Sequence, residues 1–379
     1  MKKLLRFLKS FLKYSLALAM LVLIISLAAI PLARMEAPDD LMPAQADGPI
    51  ALDQVRVVDV ERGIVLPDRQ ILIRDGRFEA IRDAGTPVPV GYRTIDVQGQ
   101  YLSPGLFDMH VHAMDRKYLA LSLAHGVTSV RNMGGYPMHL RWRQELEDGV
   151  WLGSRLFTAT PTLNGPRNAN PMGHKVVTDP DKARERVRRY HEEGWDFIKI
   201  YTRLSPEVYA AIIDEAGKLD FPVAGHVPYP VVEQDYGLAQ PMVTIEHTEE
   251  IFQGPLDHKF DEAPVVAVAR QLKAMNATLT PTLLIFDHLV AIARGKEEFL
   301  DGIPMEQLNP LMKWFTDKTA GQRWLDADEG LTDYLEREYE FLAHITRVLH
   351  EEGVELVAGS DCGVIYALPG RSTHDELRL

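Results

Sequence analysis

One cysteine, Cys362, stands in 379 residues, which excludes an internal disulfide framework and leaves the compartment open. Positive charge is in deficit: 41 Lys and Arg face 54 Asp and Glu, a net charge of −13. A nucleic-acid partner would require the opposite surplus. No G-x-G-x-x-G follows the first strand of the parallel region, which argues against an open, doubly wound dinucleotide-binding sheet. Sequence repeats and low-complexity tracts are missing too, and the acidic residues come in short scattered blocks, as on an ordinary solvated surface. What is present is apolar material for a large core, 46% of the chain. A single α/β barrel can absorb this length.

The first residues, MKKLLRFLKSFLK (1–13), carry Lys2, Lys3, Arg6, Lys9 and Lys13 and no acid. The next segment, YSLALAMLVLIISLAAIPLA (14–33), carries no charge. At about 1.5 Å per residue, a helix of that length spans a hydrocarbon core of roughly 30 Å. Cations ahead of such a segment favour a cytoplasmic start with the rest exported. The expectation is a basic leader (1–13), a transmembrane signal anchor (14–33) and a Pro-, Asp- and Ala-rich linker (34–50). The remainder then lies outside the inner membrane, in the periplasm of a Gram-negative cell. Secretion after signal-peptide cleavage is the alternative. A signal peptide's apolar region usually runs about 7–15 residues, and IPLARMEA is a poor small-x-small cleavage site.

Short alternating runs follow: VRVVDV (55–60), RQILIRDGRFEAIR (69–82) with an Asp75-Gly76 turn, and RTIDVQGQYLSPG (93–105). They predict antiparallel strands in a small β-module over 51–102, too thin to stand alone. From Pro104 the rhythm becomes strand, helix, strand. The apolar, β-branched segments are LFDMHVH (106–112), GVTSVRNMG (126–134), RLFTATPTL (155–163) and DFIKIYT (196–202). FPVAGHV (221–227), MVTIEHT (242–248), ATLTPTL (277–283) and VELVAGSD (354–361) complete the set. Helical stretches such as DPDKARERVRRYHEEG separate them, so the sheet is parallel with both faces covered. Eight such strands close a (β/α)8 TIM barrel, here over 103–379. The long seventh-to-eighth connection reads as helices forming a lid or a surface excursion. The chain stops at GRSTHDELRL, where the helix after strand eight should begin, so the barrel is expected to be truncated before its last helix.

In LFDMHVH, Asp108, His110 and His112 fall on every second residue and so share a strand face. Both histidines lie at the C-terminal strand end, where such barrels carry their reactive groups. Lys199 in FIKIY, His226 in AGHVP, His247 in IEHTEE and Asp361 in GSDCG occupy the same end of strands four, five, six and eight. Each alone has an ordinary reading: a satisfied half-buried histidine, a rim ammonium, a capping carboxylate. Their coincidence at one barrel mouth points to a metal site, since imidazoles and carboxylates are the ligands of Zn²⁺-type ions. A protonated Lys199 cannot bind a metal. Flanked by Ile198 and Ile200, it points inward, and burial with nearby metal charge would lower its pKa. The free amine can then add CO2 and become a bridging carbamate; a Schiff-base lysine is the rival. His174, Tyr201, Tyr229 and Arg131 are candidate substrate contacts. His125, His139, His191, His258, His288, His344 and His350 read as structural.

Taken in order, SPGLFDMHVH, GVTSVRNMGG, FIKIY, GHV, IEH, PTL and AGSDCG resemble the amidohydrolase superfamily, most closely its imidazolonepropionase-like, prolidase-related branch, over roughly residues 50–379. The resemblance implies a binuclear centre, usually zinc. His110 and His112 with Asp361 would hold the more buried ion, His226 and His247 the outer one, and carboxylated Lys199 would bridge them. It also implies a small β-sandwich built from both chain ends, with 51–102 its N-terminal half and the C-terminal half lacking here. The expected reaction is hydrolysis of a C–N bond, in a cyclic amide or dipeptide-like substrate, by a metal-activated hydroxide, with Asp361 as catalytic base. An ester, lactone or phosphotriester would suit the same centre. A non-catalytic, membrane-anchored binding module is the reading from another class. The expected partners are a small molecule, the membrane and, in a homo-oligomer, a second copy.

Overall fold

The computed structural model describes residues 11–24, 42, 48–167, 169–170, 173–307, 313–314, 316 and 321–379. The chain divides into two compact units, Met1–Met42 and Pro43–Leu379. In the first, residues 11–24 are helical. Residues 25–33 of the expected anchor lie outside the described residues, as does most of the 34–50 linker. Among the described residues no helix is long and apolar enough to cross a membrane.

In the second unit, β1 (Ile50–Asp59), β2 (Ile64–Arg74), β3 (Arg77–Asp83), β4 (Arg93–Asp96) and β5 (Tyr101–Leu102) form one sheet. β1–β2 and β2–β3 are antiparallel, as the alternation predicts. Asp75 and Gly76 both take positive φ, 51° and 70°, which is what a tight hairpin turn between twisted strands requires. The purely antiparallel expectation needs correcting, because β4 and β5 pair parallel with β1. Pro87 and Pro89 sit in the connection after β3 and cannot donate to a ladder. That connection carries the chain across to the free edge of β1 instead of folding it straight back on β3.

The barrel strands are β6 (Leu106–Val111), β7 (Val127–Asn132), β8 (Arg155–Thr158), β11 (Ile198–Ile200), β12 (Val223–Gly225), β13 (Thr244–Glu246), β14 (Thr278–Thr280) and β15 (Glu355–Leu356). Each lies inside one of the eight predicted segments, and the pairings β6–β7–β8 and β11 through β15 are parallel. Two seams join these runs. At one, Ala159 bridges Phe197 and the Thr160 N–H reaches the Phe197 carbonyl at 2.9 Å. At the other, Val111 bridges Cys362, and the Asp361 N–H donates to the His110 carbonyl at 2.8 Å. The circuit is closed. β9 (Thr162–Asn164) prolongs β8 past a break, and β10 (His174–Val176) pairs on it as a lip.

Helices between the strands begin as their sequences dictate. Pro180–Glu192 and Pro206–Lys218 each open with proline behind a capping Asp179 or Ser205, whose side chains satisfy an otherwise free amide. Their apolar stripes, for example Val208, Ala211 and Ile212, are buried. The seventh-to-eighth connection holds Leu283–Asp301, Gln322–Leu325 and Glu329–Glu351; 308–312, 315 and 317–320 lie outside the described residues. Beyond β15 the helix Arg371–Glu376 buries Ser372, Thr373 and Glu376.

Gly225, at the end of β12, has φ 137°, and a Cβ there would stand 2.2 Å from the Ile200 carbonyl oxygen. Gly225→Ala should therefore destabilise the protein by on the order of 3 kcal/mol, measured by urea unfolding.

Candidate metal centre

His110 is the penultimate residue of β6, His112 follows that strand, Lys199 is central in β11, and His226 and His247 come directly after β12 and β13. Asp361 lies just beyond β15. All six line one cavity of about 630 Å³. Ring centroids are 4.6 Å apart for His110 and His247, 4.7 Å for His226 and His247, and 5.4 Å for His110 and His112. Asp361 Oδ1 is 3.0 Å from His112 Nε2 and 3.4 Å from His110 Nε2. Ligand atoms of His110, His247 and Asp361 all lie within 4.8 Å of one another. His247 and Asp361 take positive φ, 69° and 49°. Non-glycine backbone pays about 1–3 kcal/mol for such conformations, which gather at functional sites.

Each of three rings has one nitrogen already committed. His110 Nδ1–H donates to Glu246 Oε2 at 2.7 Å, His226 Nδ1 meets Glu250 Oε1 at 2.6 Å, and His247 Nδ1 meets Thr282 Oγ1 at 2.7 Å. The Thr282 hydroxyl hydrogen goes to the Pro281 carbonyl, so its oxygen is the acceptor and His247 Nδ1 carries the proton. At His110 and His247 the Nδ1 proton is thus fixed and Nε2 is the free nitrogen, the arrangement that orients metal-binding imidazoles; at His226 the partner Glu250 is pushed up to about 8 by burial and can itself be the donor. Burial drives these rings well below the ordinary value of 6.5, with Lys199 adding to the effect at His110 and His226. They are therefore neutral.

Burial also lowers Lys199 to about 8, against the pull of Glu246 and Asp361. Glu246 is pushed up by burial, but Arg131 and Lys199 outweigh that and hold it below the ordinary carboxylate value. Asp361 Oδ1 is buried without a hydrogen-bond partner, a state native proteins rarely leave unexplained. Neutral imidazoles, an orphaned carboxylate oxygen and a lysine inclined to lose its proton together fit divalent metal ions.

Of the four candidate substrate contacts, two line the cavity. The Tyr201 ring lies tilted 4.2 Å from that of His226, and His174 lies 4.9 Å from Tyr201, its Nδ1 accepting the Asn170 N–H at 3.1 Å. Arg131 is elsewhere. Its guanidinium is buried beneath the histidines, donating to Met109 O, Thr244 Oγ1 and Glu246 Oε1 at 2.6, 2.7 and 2.7 Å. Tyr229 is also outside the lining; its hydroxyl donates to Gln253 and its ring lies under Arg203.

Asp108 departs from the two histidines with which it alternates. The β6–β7 register shifts between Asp108 and Val111, and its carboxylate receives Ser360 N–H, Ser360 Oγ–H and Thr373 Oγ1–H at 3.0, 2.6 and 2.6 Å. His139 is structural, as expected, yet placed to matter. Its Nε2–H donates to the Ala113 carbonyl beside His112, and its Nδ1 accepts from Tyr136 N–H. Sequence reasoning missed Glu246, Glu250 and Thr282. The first two flank His247 in IEHTEE, a visible carboxylate cluster; nothing marked Thr282.

The chain aligns in fold with bottromycin amidohydrolase at a TM-score of 0.70 and 24% identity, covering 87% of this chain and 72% of that one. The fold is that of the amidohydrolases. A prolidase complexed with N-methylphosphonate-L-proline matches at a TM-score of 0.60 and 22% identity, over 87% of this chain and 83% of that one. By sequence, adenine deaminase of Chelativorans sp. (strain BNC1) is 26% identical over 204 residues, 50% of this chain and 33% of that protein. The matched segment thus spans about a third of that curated relative. No family model matches the chain.

His139 gives a pH prediction. Burial holds its ring at about 4, below the ordinary value, so the fold favours the neutral form. As pH falls below 6.5 the unfolded chain takes a proton that the fold refuses. Between pH 7 and 5 the native protein should lose about 2 kcal/mol more unfolding free energy than His139→Gln; equal losses for the two proteins, from urea unfolding at both pH values, would contradict this.

Proposed function

We propose that the protein is a metal-dependent hydrolase cleaving a C–N bond in a cyclic amide or dipeptide-like substrate. The observation that carries this is the buried, unpartnered Asp361 Oδ1 facing neutral imidazoles whose other nitrogens are already bound. His110, His112 and Asp361 would hold one divalent ion, His226 and His247 a second, both zinc. Lys199 would bridge them as a carbamate, formed when its uncharged amine bonds to CO2 and loses a proton. A pKa of about 8 makes that amine far more available than an ordinary lysine's. When bound, the ions supply an acidified water and polarise the scissile carbonyl.

The chain's own groups do the rest. Asp361 accepts a proton at Oδ1 and returns it to the leaving nitrogen. Glu246 and Thr282 hold the imidazoles of His110 and His247 so that Nε2 stays available, and Glu250 holds that of His226. Tyr201 and His174 flank the entering substrate, and Ile285, Phe286 and Leu289 give the cavity an apolar wall. Its volume of about 630 Å³ suits a small ligand or dipeptide.

Elemental analysis of the purified chain should find two equivalents of zinc, and chelation should abolish turnover of a panel of dipeptides, acylated amino acids and lactams. Lys199→Ala should lose metal and activity together. Asp361→Asn should lower kcat about 10²–10⁴-fold while retaining at least one ion. Full activity in Lys199→Ala would refute the two-ion centre, and turnover on lactones or phosphotriesters alone would shift the substrate class.

Placement outside the inner membrane, on a retained anchor, is also proposed, supported by the basic leader and the uncharged 14–33 run. The full chain should sediment with membranes and resist carbonate extraction, whereas a chain beginning at Gly48 should remain in the supernatant. Release of both chains alike would overturn the anchor.

A further inference from the structure

The helix Arg371–Glu376 makes two buried attachments on successive turns. From Thr373, the hydroxyl donates to Asp108 Oδ2 at 2.6 Å. From Glu376, Oε1 and Oε2 accept the Leu283 and Leu284 N–H groups at 3.1 and 2.8 Å. Thr373, Glu376 and Asp108 are all buried. Neither attachment touches the cavity, yet each ends one step from a candidate ligand.

The Thr373 arm ends on Asp108, which also accepts the His110 N–H at 3.1 Å and the Ser360 N–H and hydroxyl. Ser360 immediately precedes Asp361, whose N–H returns to the His110 carbonyl at 2.8 Å. One carboxylate therefore sets the spacing between the first barrel strand and the segment carrying Asp361. The Glu376 arm caps the start of Leu283–Asp301, where free amides and the helix dipole favour an anion. The residue just before those amides is Thr282, held at φ 54°, ψ 40°. That conformation is strongly disfavoured for a β-branched side chain. Thr282 Oγ1 is the acceptor for His247 Nδ1, so whatever pins its backbone also aims His247.

We infer that Thr373 and Glu376 are positioning residues for the metal centre: this short helix staples together the segments presenting His110, Asp361 and His247, three candidate ligands whose donor atoms all lie within 4.8 Å of one another. The inference rests on the metal-centre reading above. It assigns the helix a role in aiming ligands, beyond filling the gap beside the barrel.

Co²⁺ serves as the probe, because its visible absorption reports ligand geometry without any substrate. Metal-stripped native protein, Thr373→Val, Thr373→Ser, Glu376→Ala and Glu376→Gln are titrated with Co²⁺, with circular dichroism as the check on folding. Thr373→Val and Glu376→Ala should bind Co²⁺ about 10–100-fold more weakly and show a shifted visible band. Thr373→Ser, which keeps the hydroxyl, should match the native protein, and Glu376→Gln should fall between. Native affinity and spectrum in a folded Thr373→Val would overturn the inference, as would a Thr373→Ser as weak as Thr373→Val. The threonine pair decides even where Glu376→Ala fails to fold. No Co²⁺ uptake by the native protein would refute the metal-centre reading itself, and the staple with it.

Discussion

A closed barrel must bring its first strand against its last, and in this chain those two strands and the residues that follow them carry His110, His112 and Asp361. The seam that completes the circuit is also the seam that forms the site. The Asp361 N–H donates to the His110 carbonyl, and the His112 N–H to the Cys362 carbonyl at 2.8 Å. Backbone pairing thus fixes where three donor side chains stand before any ion is considered. His226 and His247 enter through the same constraint, because parallel pairing of β11, β12 and β13 aligns the strand ends from which they emerge.

Beneath that rim lies an electrostatic problem and its solution. Arg131 is buried, as is Lys199, and isolated buried cations are strongly disfavoured. Glu246 answers the first directly and, with Asp361 and Glu250, opposes the deprotonation of the second. It accepts from Arg131 at one oxygen and from His110 at the other, and Thr244 donates to it as well. One carboxylate therefore pairs with the buried guanidinium and fixes the tautomer of a candidate ligand imidazole. Stability and site geometry are here the same hydrogen bonds.

The eight barrel strands were legible because each is a short apolar, β-branched run separated by an amphipathic helix. The six candidate ligands were legible because strand periodicity places them at one end. What sequence could not show was partnership at a distance: Glu246 reaches His110 from 136 positions away, and Thr282 acquires its role from an unusual backbone conformation. Arg131 was misjudged for the same reason, since its position predicts an inward direction but not the acceptors that engage it. A register shift in β6 turned Asp108 to structural use although its alternation with His110 was read correctly. The parallel β4 and β5 were hidden by a connection whose path local propensity does not set.

Arg131 has one more consequence. From β7 it reaches the backbone of β6 and side chains on β13 and β14, the Thr280 hydroxyl at 3.4 Å among them. A guanidinium held from so many sides acts as a floor across the barrel's interior. That one side chain thereby ties β6, β7, β13 and β14 to one another across the barrel's interior.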